Sequence, residues 1–173
     1  KRYNVVGQMF GRVTQFDDIL IKPLGLGDIR VDGHFQGSVK DFERHNLNIY
    51  FILPEIGYKG FTYQNILVKG KIKNRSIDGL LLIDQDEISM AINGIASFPK
   101  QGLPKMSLGI NLQRARLFAL GLSKIDSADQ LGLNLKADFS GSTFENLTGQ
   151  LRIENSYFEN SRGRLPIDLL ELT

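Results

Sequence analysis

Cysteine and tryptophan are both missing from this chain of 173 residues, and histidine occurs only twice. Without cysteine there is no disulfide framework and no thiolate metal site. That excludes a disulfide-stapled scaffold and leaves cytoplasm and periplasm equally open. The two histidines are thin material for a catalytic base or a metal centre. His34 falls on the polar side of a predicted strand, and His45 sits in the turn-like Glu43-Arg44-His45-Asn46. Both read as solvated surface residues. No His-Glu-x-x-His, no Gly-x-Ser-x-Gly and no phosphate loop occurs. Gly25-Leu26-Gly27 lacks the third glycine of a dinucleotide fingerprint and precedes a strand instead of opening a helix. Asp84, Asp86 and Glu87 cluster, but without the spaced oxygens and turn glycine of a calcium loop. The expectation is a chain with no catalytic residues, no metal and no cofactor.

Charge of one sign is also lacking. With 21 Lys and Arg against 19 Asp and Glu, the net charge is +2, and the basic residues are scattered singly. A nucleic-acid binder concentrates them on one face, so no nucleic acid is expected as a partner. No stretch approaches the ~18 consecutive apolar residues of a membrane-spanning helix. The missing tryptophan, with no clear pair of aromatic girdles, argues against a small outer-membrane barrel. The chain begins at Lys1 and stops after Thr173, and it is read as a piece of a longer protein whose targeting and anchoring signals lie elsewhere.

What is present is period-two alternation, the pattern of strands with one buried face. It is clearest in Met106, Leu108, Ile110 and Leu112, and again in Leu131, Leu133, Leu135, Ala137 and Phe139. Leu147, Gly149, Leu151 and Ile153 repeat it, as do Ile29, Val31, Gly33 and Phe35. Ile66, Val68, Gly70 and Ile72 oppose Leu67, Lys69, Lys71 and Lys73. Leu47 to Leu53 is apolar on both sides after Asn48, which predicts a strand covered twice. Ile77 to Ile83 and Ile88 to Ala96 predict a hairpin joined through Asp84 to Glu87. Helix signals are confined to Asp18 to Leu24 and Arg114 to Leu120, each ending at a glycine suited to a C-terminal cap, Gly25 and Gly121. Pro23 reduces the first to a single distorted turn. The tail from Leu165 to Leu169 reads as strand.

A weak internal repeat runs through the chain. Ile21-Lys22-Pro23-Leu24-Gly25-Leu26 matches Leu117-Phe118-Ala119-Leu120-Gly121-Leu122, and each copy leads to a strand ending in Phe-x-Gly-Ser at Phe35 and Phe139. Tyr63-Gln64-Asn65-Ile66 echoes Phe144-Glu145-Asn146-Leu147. The expected organisation is one repeat-built β segment over residues 1–173, with units of about 16–112 and 113–173. No linker rich in Pro or Ser separates them, which predicts one continuous sheet. The expected fold is all-β: an elongated antiparallel sheet curled lengthwise like a taco, with one or two short helical turns. A face-to-face sandwich produces the same alternation, so the pattern alone does not choose between groove and core. In the curled form the groove is lined by Val31, Phe35, Ile49, Phe51, Ile66, Val68, Met90, Ile92, Leu108, Ile110, Leu133, Leu135, Leu151 and Ile153.

The string from Leu117 to Leu122, followed by Phe139 to Phe158 with its Phe139-Ser140-Gly141-Ser142-Thr143-Phe144 core, resembles the TamB-like translocation and assembly module proteins. These belong to the wider AsmA-like group, and the version here is similar to that of Bacteroidetes. The resemblance covers most of the chain in character, through diffuse strand patterns without catalytic landmarks. It implies a fragment of the periplasmic β-body of a large protein anchored in the inner membrane. It further implies phospholipid acyl chains as ligands, outer-membrane assembly proteins as partners, and a part in outer-membrane biogenesis. The alternative is an interaction scaffold that binds client strands at its sheet edges by β-augmentation.

Overall fold

The structure, a computed structural model, describes residues 3–13, 26–41, 44–58, 60–141 and 146–173. They form one all-β, antiparallel sheet. Its strands are β1 (Tyr3–Val13), β2 (Leu26–Asp41), β3 (Arg44–Tyr58), β4 (Phe61–Lys73), β5 (Ser76–Asp84), β6 (Ile88–Ser97), β7 (Lys105–Arg116), β8 (Gln130–Ser140), β9 (Thr148–Asn160) and β10 (Gly163–Leu172). Their order across the sheet is their order in the chain, so the fold is a meander in which each strand pairs with its sequence neighbours. β1 and β10 are the two edges, and the sheet does not close into a barrel. At about 3.3 Å per residue, the 15 residues of β3 run about 50 Å. The strands then shorten to 9 residues in β5 and 10 in β6.

Local chemistry explains the hairpins. Lys73 stands opposite Ser76 across a two-residue turn, Asn74-Arg75, and both turn residues have positive φ (50° and 74°). That is a type I′ turn, whose twist matches the strands it joins, and asparagine tolerates the left-handed region better than most residues. The predicted hairpin of β5 and β6 is present. Gln85 and Ile88 exchange backbone hydrogen bonds at 2.8 and 3.2 Å, leaving Asp86 and Glu87 at the tip. The predicted strand in the tail is present as β10.

The helical expectation needs a narrower boundary. Arg114 to Arg116 belong to β7, because Arg114 and Ala115 still pair with Ser89 and Ile88. Only the following turn is helical in character. Leu120 N–H donates to the Arg116 carbonyl (3.1 Å), Gly121 N–H to Phe118 (3.1 Å) and Leu122 N–H to Leu117 (2.8 Å). With Gly121 at φ 69°, this is a Schellman cap closing one turn. The candidate turn from Asp18 to Leu24 lies outside the described residues, as do 21–25 and 142–145 of the repeat motifs. The boundary expected between the repeat units, 112/113, falls inside β7.

Three irregularities bend the ladder at one end. Gln113 is an extra residue in β7 between Leu112 and Ala115. Asn65 in β4 and Asn155 in β9 take positive φ (53° and 49°) within their strands. A left-handed residue reverses the alternation, so Tyr63 and Phe61 join the face of Ile66, and Ser156 and Phe158 follow Ile153 into partly or fully buried positions. Asn155 leaves a gap in the pairing between Gly132 and Leu135. The buried Ser156 hydroxyl fills it, accepting from Asn134 N–H (2.9 Å) and donating to the Glu154 carbonyl (3.1 Å). Such bulges raise local twist and curl a sheet that would otherwise lie flatter.

Candidate functional site

The register lays the apolar side chains in straight rows across the strands. Phe51 of β3 stands opposite Val68 of β4, and that row continues through Leu81, Ile92, Ile110, Leu135 and Ile153 to Leu170 of β10. The neighbouring row starts at Ile49 and runs through Gly70, Gly79, Gly94, Leu108 and Ala137 to Leu151 and Leu172. A third carries Ile83, Met90, Leu112 and Leu133, and a fourth carries Leu47, Ile72, Ile77, Ala96, Met106 and Phe139. Antiparallel partners point to the same side, so these rows make one face.

Twelve of the fourteen residues expected to line a groove fall on this face: Ile49, Phe51, Ile66, Val68, Met90, Ile92, Leu108, Ile110, Leu133, Leu135, Leu151 and Ile153. All are half-buried except Ile66, which is buried. Phe35 stands opposite Ile49 in the backbone register. Val31 pairs with Gly11 of β1 and meets β3 at a shift of register between Arg30 and Asp32. The side chains of these last two lie outside the described residues.

Burial along the face is uneven. Its core lies at one end and consists of Ile66, Ile83, Ile88, Leu112, Ala115 and Leu120. Leu53, Ile56, Phe61, Tyr63, Leu117 and Leu131 pack around it. Leu120 is completely buried, and it comes from the capped turn after β7. That turn therefore plugs one end of the face. Alternation alone did not reveal this core, because Tyr63, Phe61 and Ala115 lie beyond the positions where the phase reverses. The signal was present in the jump from Tyr63 to Ile66 and from Leu112 to Ala115. Desolvation pushes the Tyr63 hydroxyl above its ordinary range, with a smaller contribution from Tyr58.

Towards the other end the cover stops. Ile77 and Met106 are 42% and 43% exposed. Between the ends lies a hollow of about 470 Å³. Its walls are Val68, Leu81, Ile92, Ile77, Ala96 and Met106, and its floor contains Gly70, Gly79 and Gly94. The expectation that Leu47 to Leu53 is covered on both sides is not met: Ile52, pointing to the opposite face, is exposed.

That opposite face is polar towards β8 to β10. Glu154 accepts from Lys136 Nζ and Arg152 Nε, both at 2.8 Å, and Arg152 also reaches Glu171 at 2.7 Å. The hydrogen bond from Lys136, then that from Arg152, holds the Glu154 carboxyl below the usual range. The turn connecting β7 to β8 is tied down separately. Ser161 donates its hydroxyl (2.5 Å) and N–H (3.0 Å) to Asp126, and Ala128 N–H donates at 2.9 Å. These bonds lower the Asp126 pKa. Among the described residues, no three His, Asp or Glu side chains converge as a metal-binding group.

No protein-family model, no curated protein and no solved structure matches the chain.

Proposed function

We propose that the chain is a non-enzymatic lipid-conduit segment of a periplasmic protein, held by an inner-membrane anchor elsewhere in the full-length molecule. It serves outer-membrane biogenesis by carrying phospholipid acyl chains, by assisting outer-membrane protein assembly, or by both. The observation that supports this is a long apolar face with no second layer over it among the described residues, apart from the plug at one end. Soluble monomers rarely expose large contiguous apolar patches, and those that do use them for binding. Each methylene removed from water is worth ~0.8 kcal/mol, so an ordinary acyl chain gains roughly 10 kcal/mol before ordering costs. Capture then needs no polar constellation.

Leu135, in the middle of the longest row, provides the test. Leu135→Arg places a charge in the apolar surface. In an open groove the guanidinium reaches water, so the variant stays folded by circular dichroism and loses the phospholipid that organic extraction and mass spectrometry recover from the parent. If the face is instead closed as a core, the buried charge unfolds the domain. A folded variant that carries as much lipid as the parent overturns the reading.

A second reading is favoured by β10. Its outer edge has no strand partner among the described residues, and Leu165, Leu169, Leu170 and Leu172 on it are all exposed. An apolar edge strand is a template for pairing with another strand. A parent that yields no lipid on extraction but captures an extended client peptide at β10 would favour a β-augmentation scaffold.

A further inference from the structure

Gly70, Gly79 and Gly94 occupy the same row on three adjacent strands, Gly70 opposite Gly79 and Gly79 opposite Gly94. Two of them are crowded. A Cβ on Gly70 would lie 2.9 Å from the Cδ1 and Cγ1 atoms of Ile49, whose side chain leans over it. A Cβ on Gly94 would lie 3.1 Å from the Ser107 carbonyl oxygen and 3.4 Å from Leu108 Cδ1. Gly79 differs. Its φ is not positive, and a Cβ there would meet nothing nearer than the Lys69 carbonyl oxygen at 4.0 Å. Neither backbone conformation nor packing requires glycine at this position, and glycine weakens a mid-sheet strand. What it leaves is an opening in the apolar face.

We propose that the opening at Gly79 in this glycine row is a slot for the end of one unbranched alkyl chain, with Gly79 setting its depth. The proposal rests on the lipid-conduit reading and specifies the shape of ligand the face accepts. The floor is backbone already engaged in the sheet ladder, so an occupant finds no free polar partner there and must be hydrocarbon. Ile49 and Leu108 lean over the outer two glycines, so the opening is centred on Gly79. Strands lie about 4.8 Å apart, so about 10 Å separates the two side chains that bound it. Val68, Leu81 and Ile92 form one wall, and Ile77, Ala96 and Met106 the other. Same-face side chains recur about every 7 Å along a strand, so one missing row leaves the width of a single chain and not of fused rings. Ile49 and Leu108 close the two ends.

The test is a fluorescence titration with cis-parinaric acid, an unbranched fatty acid, on the parent and on Gly79→Leu, a substitution the open space at this position accommodates. Saturable binding by the parent, at least tenfold weakened in the variant and not displaced by cholesterol, is the expected result. Equal binding by parent and variant overturns the slot while leaving the conduit reading in place. No binding by the parent overturns both. Displacement by cholesterol contradicts selection for an unbranched chain, and a parent dimer that Gly79→Leu converts to monomer shows that the occupant is a second copy. Should Gly79→Leu misfold, palmitate carrying a diazirine near its methyl end is cross-linked to the parent. Adducts on Val68, Leu81, Ile92 or Met106 support the slot, and adducts confined to β9 and β10 overturn it.

Discussion

At one end of the apolar face the described residues supply a cover, and at the other they do not. The covered end has Ile66, Ile83, Ile88, Leu112 and Ala115 beneath Leu120, all buried. The uncovered end has Ile77, Ala96, Met106 and Phe139 in a row with the same alternation, and the first and third of these are more than two-fifths exposed. Both ends arise from the same sequence period. Among the described residues they differ because a capped turn, held by a Schellman pair and by Leu117 N–H bonding to the Asp129 carbonyl at 2.8 Å, folds over the first of them. Stability is therefore expected to concentrate where the plug sits, leaving the rest of the face free to bind.

Truncating one residue at each end breaks that comparison most directly. Leu120→Ala empties a fully buried position and should cost about 3 kcal/mol, within the usual range for large-to-small core changes. Met106→Ala, at the open end, should cost less than about 1 kcal/mol, since much of its surface is already wet. Urea denaturation of the two variants checks this, and equal losses would mean that the open end is a core as well.

A smaller effect is expected at the bulge that helps to curl the sheet. Ser156→Ala removes the acceptor of Asn134 N–H and leaves that half-buried donor unpaired, a loss of about 1 kcal/mol. Hydrogen exchange should show the Asn134 amide losing protection, while amides in β5 and β6 keep theirs.

The smallest effect is electrostatic. Asp126 and Glu154 both have folded pKa values below their ordinary ones. Their stabilising contribution is therefore present at neutral pH and is lost as pH falls through the folded values, below the ordinary carboxylate range near pH 4. Both groups are solvent-accessible, so the change in melting temperature should be slight and further reduced by salt. Lys136→Glu sharpens the point. On alternation alone this substitution is nearly silent, yet the ion pair with Glu154 turns it into a like-charge contact, and the acid dependence attributable to Glu154 should weaken or reverse.

Much of this architecture was legible before any coordinate. Alternation of apolar and polar residues is local, because successive strand side chains point to opposite faces whatever lies beyond. It sufficed for the all-β class, for the hairpin of β5 and β6, and for the shared face of residues such as Ile110, Leu135 and Ile153. Gly121 announced the capped turn for the same reason, since a left-handed C-cap is a property of a few consecutive residues. Other features depended on parts of the chain that meet only on folding. Asn65 and Asn155 reverse the alternation, so period two carried past them assigns Tyr63 and Phe158 to the wrong side. Leu120 reads as one more aliphatic residue until the turn lays it over Leu112 and Ala115. Gly70, Gly79 and Gly94 belong to three strands, and only the register, accumulated through two hairpin turns, brings them into one row. A strand's face is encoded within the strand; what covers that face, and what gap is left in it, is decided by strands and turns packing together.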